Sequence, residues 1–289
     1  ILTRQQAAGP GEVEAIQERL MRLDRAWGLQ SRSSTQRIEG DVLESIRDAL
    51  LALEVDDGMT QVRDNLAAQL IPFGLIDEAR LMAATLPESA IATAIGDAPR
   101  ALALAQAEFE ANPSDQDTVI RLAYALALAQ QWDEALRLAQ VIWEATGRVP
   151  AAWPPGTLVE VAWMARHRER TQVYETFVQA AGEAIEARQA ENIRSDTFEM
   201  GRARYAALQG DPEGTAQYLG RAIDLGYRNL LDLELPVWNE VRDNLGFIQQ
   251  QERLAELIEK ERAQIIGMLC GPEAIMTWRD PAPATCVEA

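Results

Sequence analysis

The sequence predicts an all-α protein, and two observations support that prediction. Apolar residues recur at intervals of three and four through most of the 289 residues, which is the spacing of one face of an α-helix. Runs of alternating β-branched and polar residues, which are typical of strands, do not occur. The order and pairing of the helices therefore decide the architecture.

The first 58 residues predict a helical hairpin that caps the N-terminal end. After the helix breaker GPG at 9–11, a first helix is indicated by apolar residues at helical spacing: Val13, Ile16, Leu20, Leu23 and Trp27. The polar stretch 30–36 then separates it from a second helix, whose inward residues are Ile38, Val42, Ile46, Leu50 and Leu53. The turn DDG at 56–58 ends the hairpin.

From residue 60 the pattern changes to short helices in pairs that repeat along the chain. Four similar helix openings are GLIDEA at 74–79, GDAPRA at 96–101, QWDEA at 131–135 and GDPEGT at 210–215. Ala101 and Ala135 are 34 residues apart, a known repeat length for helical pairs. One such pair is too small to bury its own apolar face, so neighbouring pairs must stack and the ends need caps.

These openings resemble the tetratricopeptide repeat family, in a degenerate bacterial form, over residues 60–226. The clearest unit is 116–147, where apolar or small residues fill the family's positions: Leu122, Ala123, Leu126, Ala135 and Ile142. The resemblance implies a right-handed α-solenoid of tetratricopeptide-like helix pairs at 59–229, with capping helices at both ends. The spacing departs from the family, since Ala79 and Ala101 are only 22 residues apart.

Residues 230–289 predict C-terminal capping helices followed by a tail. Pro236 suits the first turn of a helix, and 247–269 has the spacing of a long final helix. Cys270 and Cys286 flank a proline-containing tail, so we predict a disulfide between them. A disulfide requires an oxidising compartment, which favours a periplasmic or otherwise extracytoplasmic location. The alternative is two free thiols in a cytoplasmic protein.

Composition and motifs exclude several classes of function. A net charge of −18 opposes nucleic-acid binding, and no apolar run is long enough to span a membrane. With His167 as the single histidine and Lys260 as the single lysine, the common multi-histidine metal sites and phosphate-binding loops are ruled out. We expect no catalytic residue, metal or cofactor. The acidic pair at 56–57 is interpreted as a solvated turn rather than a calcium site.

The resemblance implies that the first helix of each pair lines a concave groove that binds a partner. The expected groove residues are Asp117, Ile120, Arg121, Tyr124, Leu128, Met200 and Arg204. Their mixture of apolar, aromatic and basic side chains suits a peptide or a helix, although each could instead pack against a neighbouring repeat. Trp153 lies in the loop 153–156 (WPPG) and is either an exposed anchor for a partner or packed inside.

The sequence as a whole predicts a non-catalytic protein-binding or sensory module, acting as a scaffold in a bacterial envelope or signalling assembly. Its architecture resembles the repeat-rich sensory portions of membrane-anchored regulators, and Ile1 in place of Met indicates a processed protein or a portion of a longer one. Two alternatives remain. One is a cytosolic scaffold, and the other is an all-α enzyme or small-molecule-binding domain with a pocket between the repeats and the C-terminal segment.

Overall fold

The computed structural model describes residues 10–145, 153–270, 274–275 and 286. These residues form fourteen α-helices and three short 3₁₀ turns, and no strand occurs among them, which confirms the all-α prediction. None of the described helices is long and apolar enough to cross a membrane. The chain divides into two compact units, the first from residues 1–85 and 257–289 and the second from residues 86–256. The predicted boundaries at 58 and 229 stay a prediction.

In the first unit each helix packs against the next one along the chain. The helices are α1 (Pro10–Leu23), α2 (Arg25–Glu39), α3 (Val42–Val55), α4 (Thr60–Leu70) and α5 (Ile76–Met82), with a 3₁₀ turn at Ile71–Phe73. The core of this unit contains fully buried aliphatic side chains, among them Ile46, Leu50, Leu66, Leu70 and Leu75. Cys270 and Cys286 form a disulfide with their Cα atoms 4.8 Å apart, which confirms the predicted bridge.

The structure corrects the predicted N-terminal hairpin, because three helices occupy the region where two were expected. The stretch 30–36, expected as a linker, lies inside α2. The carboxylate of Asp24 accepts a hydrogen bond from the main-chain nitrogen of Trp27 and so caps a new helix between the two predicted ones. The side chains of Leu23 and Trp27 are 74% and 53% exposed, so they do not belong to a buried face.

The second unit continues as a series of paired helices. They are α6 (Glu88–Ala94), α7 (Ala98–Ala111), α8 (Gln116–Leu128), α9 (Trp132–Ala145), α10 (Pro155–His167), α11 (Thr171–Ala190), α12 (Asp196–Leu208) and α13 (Pro212–Asp224). Two 3₁₀ turns follow at Leu231–Glu234 and Pro236–Trp238, and the last helix, α14 (Leu245–Cys270), begins in this unit. Besides the pairing of neighbours, α6 contacts α8, and α10 contacts α12.

One turn geometry recurs between paired helices of the second unit. The residues Gly96, Gln130, Glu169 and Gly210 all have positive φ angles, and a helix begins two residues after each of them. The intervening main-chain N–H donates to a carbonyl five residues earlier, as in the 2.9 Å bond from Gln131 to Leu126. Three of these turns carry helix openings that the sequence predicts, whereas the turn at Glu169 was not among those openings.

Candidate binding groove

A close crossing of two helices brings the charged groups of the site together. At this crossing a Cβ atom added to Gly201 on α12 would lie 2.9 Å from the main-chain nitrogen of Gly156 on α10. Such a distance is too short for any side chain, so glycine lets the two backbones approach each other. About one helical turn further along both helices, Glu160 and Arg204 meet.

Arg204 is held between two carboxylates. Its two terminal nitrogens lie 2.5 Å from a carboxylate oxygen of Glu160 and 2.5 Å from one of Asp232. The hydroxyl of Tyr227 donates a hydrogen bond to the other carboxylate oxygen of Asp232. The side chains of Arg204 and Asp232 are only 14% and 6% exposed. We call Glu160, Arg204, Tyr227 and Asp232 the charged cluster.

Burial and charge act against each other in the charged cluster. Burial raises the pKa of Glu160, and Asp232 raises it further, whereas Arg204 acts in the opposite direction. Burial also raises the pKa of Tyr227, which keeps its hydroxyl protonated as a donor to Asp232. Although burial opposes the charge of Arg204, the carboxylates of Asp232 and Glu160 raise its pKa, so the guanidinium stays charged. One guanidinium balances only one of the two carboxylates.

An apolar cavity of about 430 Å³ opens between α8 and α10. Its apolar walls come from α8, α9 and α10 and include Ile120, Ala139, Ile142, Val161 and Met164. Tyr124 is 40% exposed, and its hydroxyl lies 2.9 Å from the Oγ1 atom of Thr157, so a hydrogen bond joins α8 to α10 beside this cavity. This bond joins two of the residues that line the cavity.

A second cavity of about 680 Å³ adjoins the first and shares four lining residues with it: Tyr124, Ala127, Glu160 and Met164. Its other walls include the indole rings of Trp132 and Trp163, whose centroids are 5.1 Å apart, and the segment 227–237 with part of the charged cluster. His167 is exposed, and its ring stacks on Trp163 with 5.1 Å between centroids. We call the two cavities together the groove.

The structure places four of the seven predicted groove residues in the groove. Ile120 and Tyr124 line the first cavity, while Leu128 and Arg204 line the second together with Tyr124. Each of these residues lies on a helix that the resemblance identifies as the first of a pair.

The other three predicted groove residues lie outside it. Asp117 is exposed in the first turn of α8 and does not line either cavity. Arg121 turns towards α7, where its Nε donates a hydrogen bond of 2.9 Å to Glu108. Met200 is 3% exposed and belongs to the core, next to the close crossing at Gly201.

Of the two alternatives for Trp153, the structure shows the packed one rather than the exposed one. This side chain is only 9% exposed, and its ring centroid lies 5.5 Å from that of Trp143 and 6.3 Å from that of Phe177. Trp143 on α9 and Phe177 on α11 supply the apolar surface that buries Trp153. The position of Trp153 in a loop of the sequence does not reveal this. Trp153 nevertheless lines the first cavity, so its contribution to binding stays a prediction.

Sequence reasoning missed Glu160, Thr157, Tyr227 and Asp232 as site residues. Two of them carry a signal, since a single acidic residue interrupts apolar stretches at 158–163 (LVEVAW) and a second one does so at 230–233 (LLDL). A charge within an apolar stretch needs a partner when it is buried. The sequence does not show that Arg204 is that partner for both.

Among the described residues, no group of three or more His, Cys, Asp or Glu side chains could hold a metal ion. Compared with known proteins, the chain matches no protein-family model, and no curated protein is significantly similar to it. By its fold the chain is an all-α protein. The tetratricopeptide resemblance stays a prediction.

Proposed function

We propose that the second unit is a non-catalytic protein-binding module that holds a segment of a partner protein in the groove. The observation that carries this proposal is the continuity of two cavities along α8 and α10, with apolar and aromatic walls and one charged cluster. A groove of this kind suits an extended or helical peptide, whose apolar side chains enter cavities while its polar groups meet fixed charges.

We further propose that the paired helices of the second unit form a tetratricopeptide-like, right-handed α-solenoid. The recurring turn supports this proposal, because Gly96, Gln130, Glu169 and Gly210 place successive pairs in the same local geometry. The small residues five positions after three of these turns are buried, as close packing of paired helices requires: Ala101, Ala135 and Thr215. Stacked pairs leave a concave face in which partners bind.

Site-specific photocross-linking tests the binding function in the cells that produce the protein. Benzoylphenylalanine is placed singly at position 120, at position 128 or at position 117. Ile120 and Leu128 line the two cavities, whereas Asp117 is the matched control on the same helix outside the groove. We expect one partner polypeptide to be cross-linked from positions 120 and 128 and not from 117. Equal labelling from all three positions would refute binding in the groove.

We propose that the protein is located in a periplasmic or other extracytoplasmic compartment, and that it has a scaffold or sensory role in a bacterial envelope or signalling assembly. The disulfide of Cys270 and Cys286 supports the location, since such bonds persist in oxidising compartments. The cytoplasmic alternative requires these thiols to be reduced in the cell.

A small-molecule-binding domain is the second candidate function. It is favoured by the position of the second cavity, which lies between the paired helices and the segment 227–237, with the charged cluster in its wall. Native mass spectrometry of the protein purified without dialysis separates the two candidates. A stoichiometric small ligand that prevents cross-linking from position 128 would favour this second function over protein binding.

A further inference from the structure

We propose that the groove selects a partner segment that carries a basic side chain next to an apolar one. The arginine or lysine side chain enters the second cavity beside Glu160, and its apolar neighbour enters the first cavity. This inference rests on the proposed function and adds the chemistry of the partner to it.

The first argument is the balance of charge in the second cavity. Its described lining residues carry three carboxylates, on Glu160, Asp232 and Glu234, and a single guanidinium, on Arg204. Glu234 has its own counter-ion, since Arg242 lies 3.1 Å from its carboxylate. Arg204 must therefore serve both remaining carboxylates, and one negative charge stays uncompensated when Glu160 is ionised. A charge that is partly removed from water favours a ligand of opposite charge.

The second argument is the aromatic lining of the same cavity. The indole rings of Trp132 and Trp163 and the phenol ring of Tyr124 line it together with the carboxylates. Aromatic rings attract ammonium and guanidinium groups through their π-electrons, and the alkyl stem of such a side chain packs on apolar surface. An acidic or a neutral polar side chain would gain neither interaction.

The third argument is that an apolar cavity lies directly alongside. Tyr124, Ala127 and Met164 belong to both cavities, so a segment that fills the second cavity passes the opening of the first. Burial of a leucine, methionine or phenylalanine side chain there is favoured by the removal of apolar surface from water. The net charge of −18 on the chain also favours the approach of a basic partner.

The charge of Glu160 makes this binding depend on pH. Because burial raises the pKa of Glu160, its carboxylate takes up a proton more readily than an exposed glutamate does, and a bound cation opposes that uptake. Affinity should therefore rise with pH as Glu160 ionises. The titratable and charged groups that face it or lie in the same cavity are Tyr124, Arg204, Tyr227, Asp232 and Glu234.

The test is selection from a library of hexapeptides, N-acetylated and C-terminally amidated, on the full, oxidised protein. We expect the retained peptides to combine arginine or lysine with leucine, methionine or phenylalanine. Replacing the arginine of the best peptide by citrulline, which has nearly the same shape but no charge, should weaken binding at least tenfold. In Glu160→Gln the same replacement should change affinity less than threefold, while the exposed control Glu252→Gln should behave as wild type.

The outcomes separate this inference from the proposed function. Retained peptides without a basic residue, or equal affinity of the arginine and citrulline peptides for the wild-type protein, overturn the inference. The proposed function would still stand if those peptides lost affinity in Tyr124→Ala. If no peptide is retained, or if only a free alkylammonium such as butylamine binds, both the inference and the protein-binding function are wrong.

Discussion

The indole Nε1 of Trp238 donates a hydrogen bond of 2.8 Å to the main-chain carbonyl of Asp232. The carboxylate of the same aspartate binds Arg204, which in turn reaches Glu160 on α10. Trp238 is fully buried, and its 3₁₀ turn packs against α12. The segment that follows the paired helices therefore fixes one wall of the groove.

The substitution Trp238→Phe tests whether Trp238 stabilises this wall of the groove. We expect the free energy of unfolding to fall by about 1–3 kcal/mol, because a buried carbonyl loses its donor and part of the indole volume is left empty. Urea denaturation measures the loss. The matched control is Trp27→Phe, at a side chain that is 53% exposed, which should change stability by less than about 0.5 kcal/mol. Equal losses in the two variants would contradict the role of Trp238.

The recurring turns predict opposite effects of two substitutions. Gly210 has a φ of 70° and no atom within 4 Å of an added Cβ, so Gly210→Ala suffers backbone strain alone, of about 1 kcal/mol. Gln130 has a φ of 58°, so Gln130→Gly relieves the same strain and should stabilise by up to about 1 kcal/mol. Thermal unfolding of both variants measures the difference. A loss of stability in Gln130→Gly would contradict the strained turn.

Glu160→Gln should stabilise the protein at neutral pH. Because the folded pKa of Glu160 lies above its ordinary value of 4.5, the folded state binds more protons between these two values than the unfolded state. The contribution of Glu160 to the free energy of unfolding therefore falls as pH rises through this window, and it stays low at higher pH. The variant retains Asp232 as the counter-ion of Arg204.

Denaturation curves from pH 4 to pH 8 measure this effect, with the exposed variant Glu252→Gln as control. We expect the advantage of Glu160→Gln over the wild type to grow as pH rises and then level off. An advantage that shrinks with rising pH would show that ionised Glu160 stabilises the cluster. Together with the peptide experiment, this result would identify Glu160 as a residue that favours binding at the expense of stability.

We expect the disulfide between Cys270 and Cys286 to be present in the cell. Alkylation of intact cells before lysis, followed by mass spectrometry, should leave Cys270 and Cys286 unlabelled. Reduction should lower the free energy of unfolding by about 3 kcal/mol, because the bridge closes a loop across 16 residues. Two labelled thiols in intact cells would contradict the extracytoplasmic location.

The sequence predicted the helices best where a few neighbouring residues decide the structure. The openings at 96–101 and 210–215 were identified because a glycine supplies the positive φ and a small residue follows in the next turn. The opening after Glu169 was not identified as a further repeat, because Tyr174 stands where the other openings have a small residue. The extra helix α2 was missed because a polar residue lies on its packed face: Ser33 is buried, and its hydroxyl donates a hydrogen bond to the carbonyl of Ser45.

The site was harder to predict because its contacts join distant residues. Tyr124 and Arg204 were found from their positions on first helices, but Arg204 and Asp232 are 28 residues apart and meet only in the folded chain. The burial of Trp153 stayed open for the same reason, since Phe177 on another helix decides it. A charge in an apolar stretch, as at Glu160, indicates that the buried side chain has a partner, but it does not show which residue the partner is.

The most direct test of the account is the affinity of the cross-linked partner segment, or of the best library peptide, for Tyr124→Ala. Tyr124 lines both cavities, so we expect its truncation to weaken binding by about 2 kcal/mol or more, roughly thirtyfold, with an unchanged circular-dichroism spectrum. Asp117→Asn, on the same helix outside the groove, should bind as the wild type does. Equal affinity of Tyr124→Ala and the wild type would contradict binding in the groove.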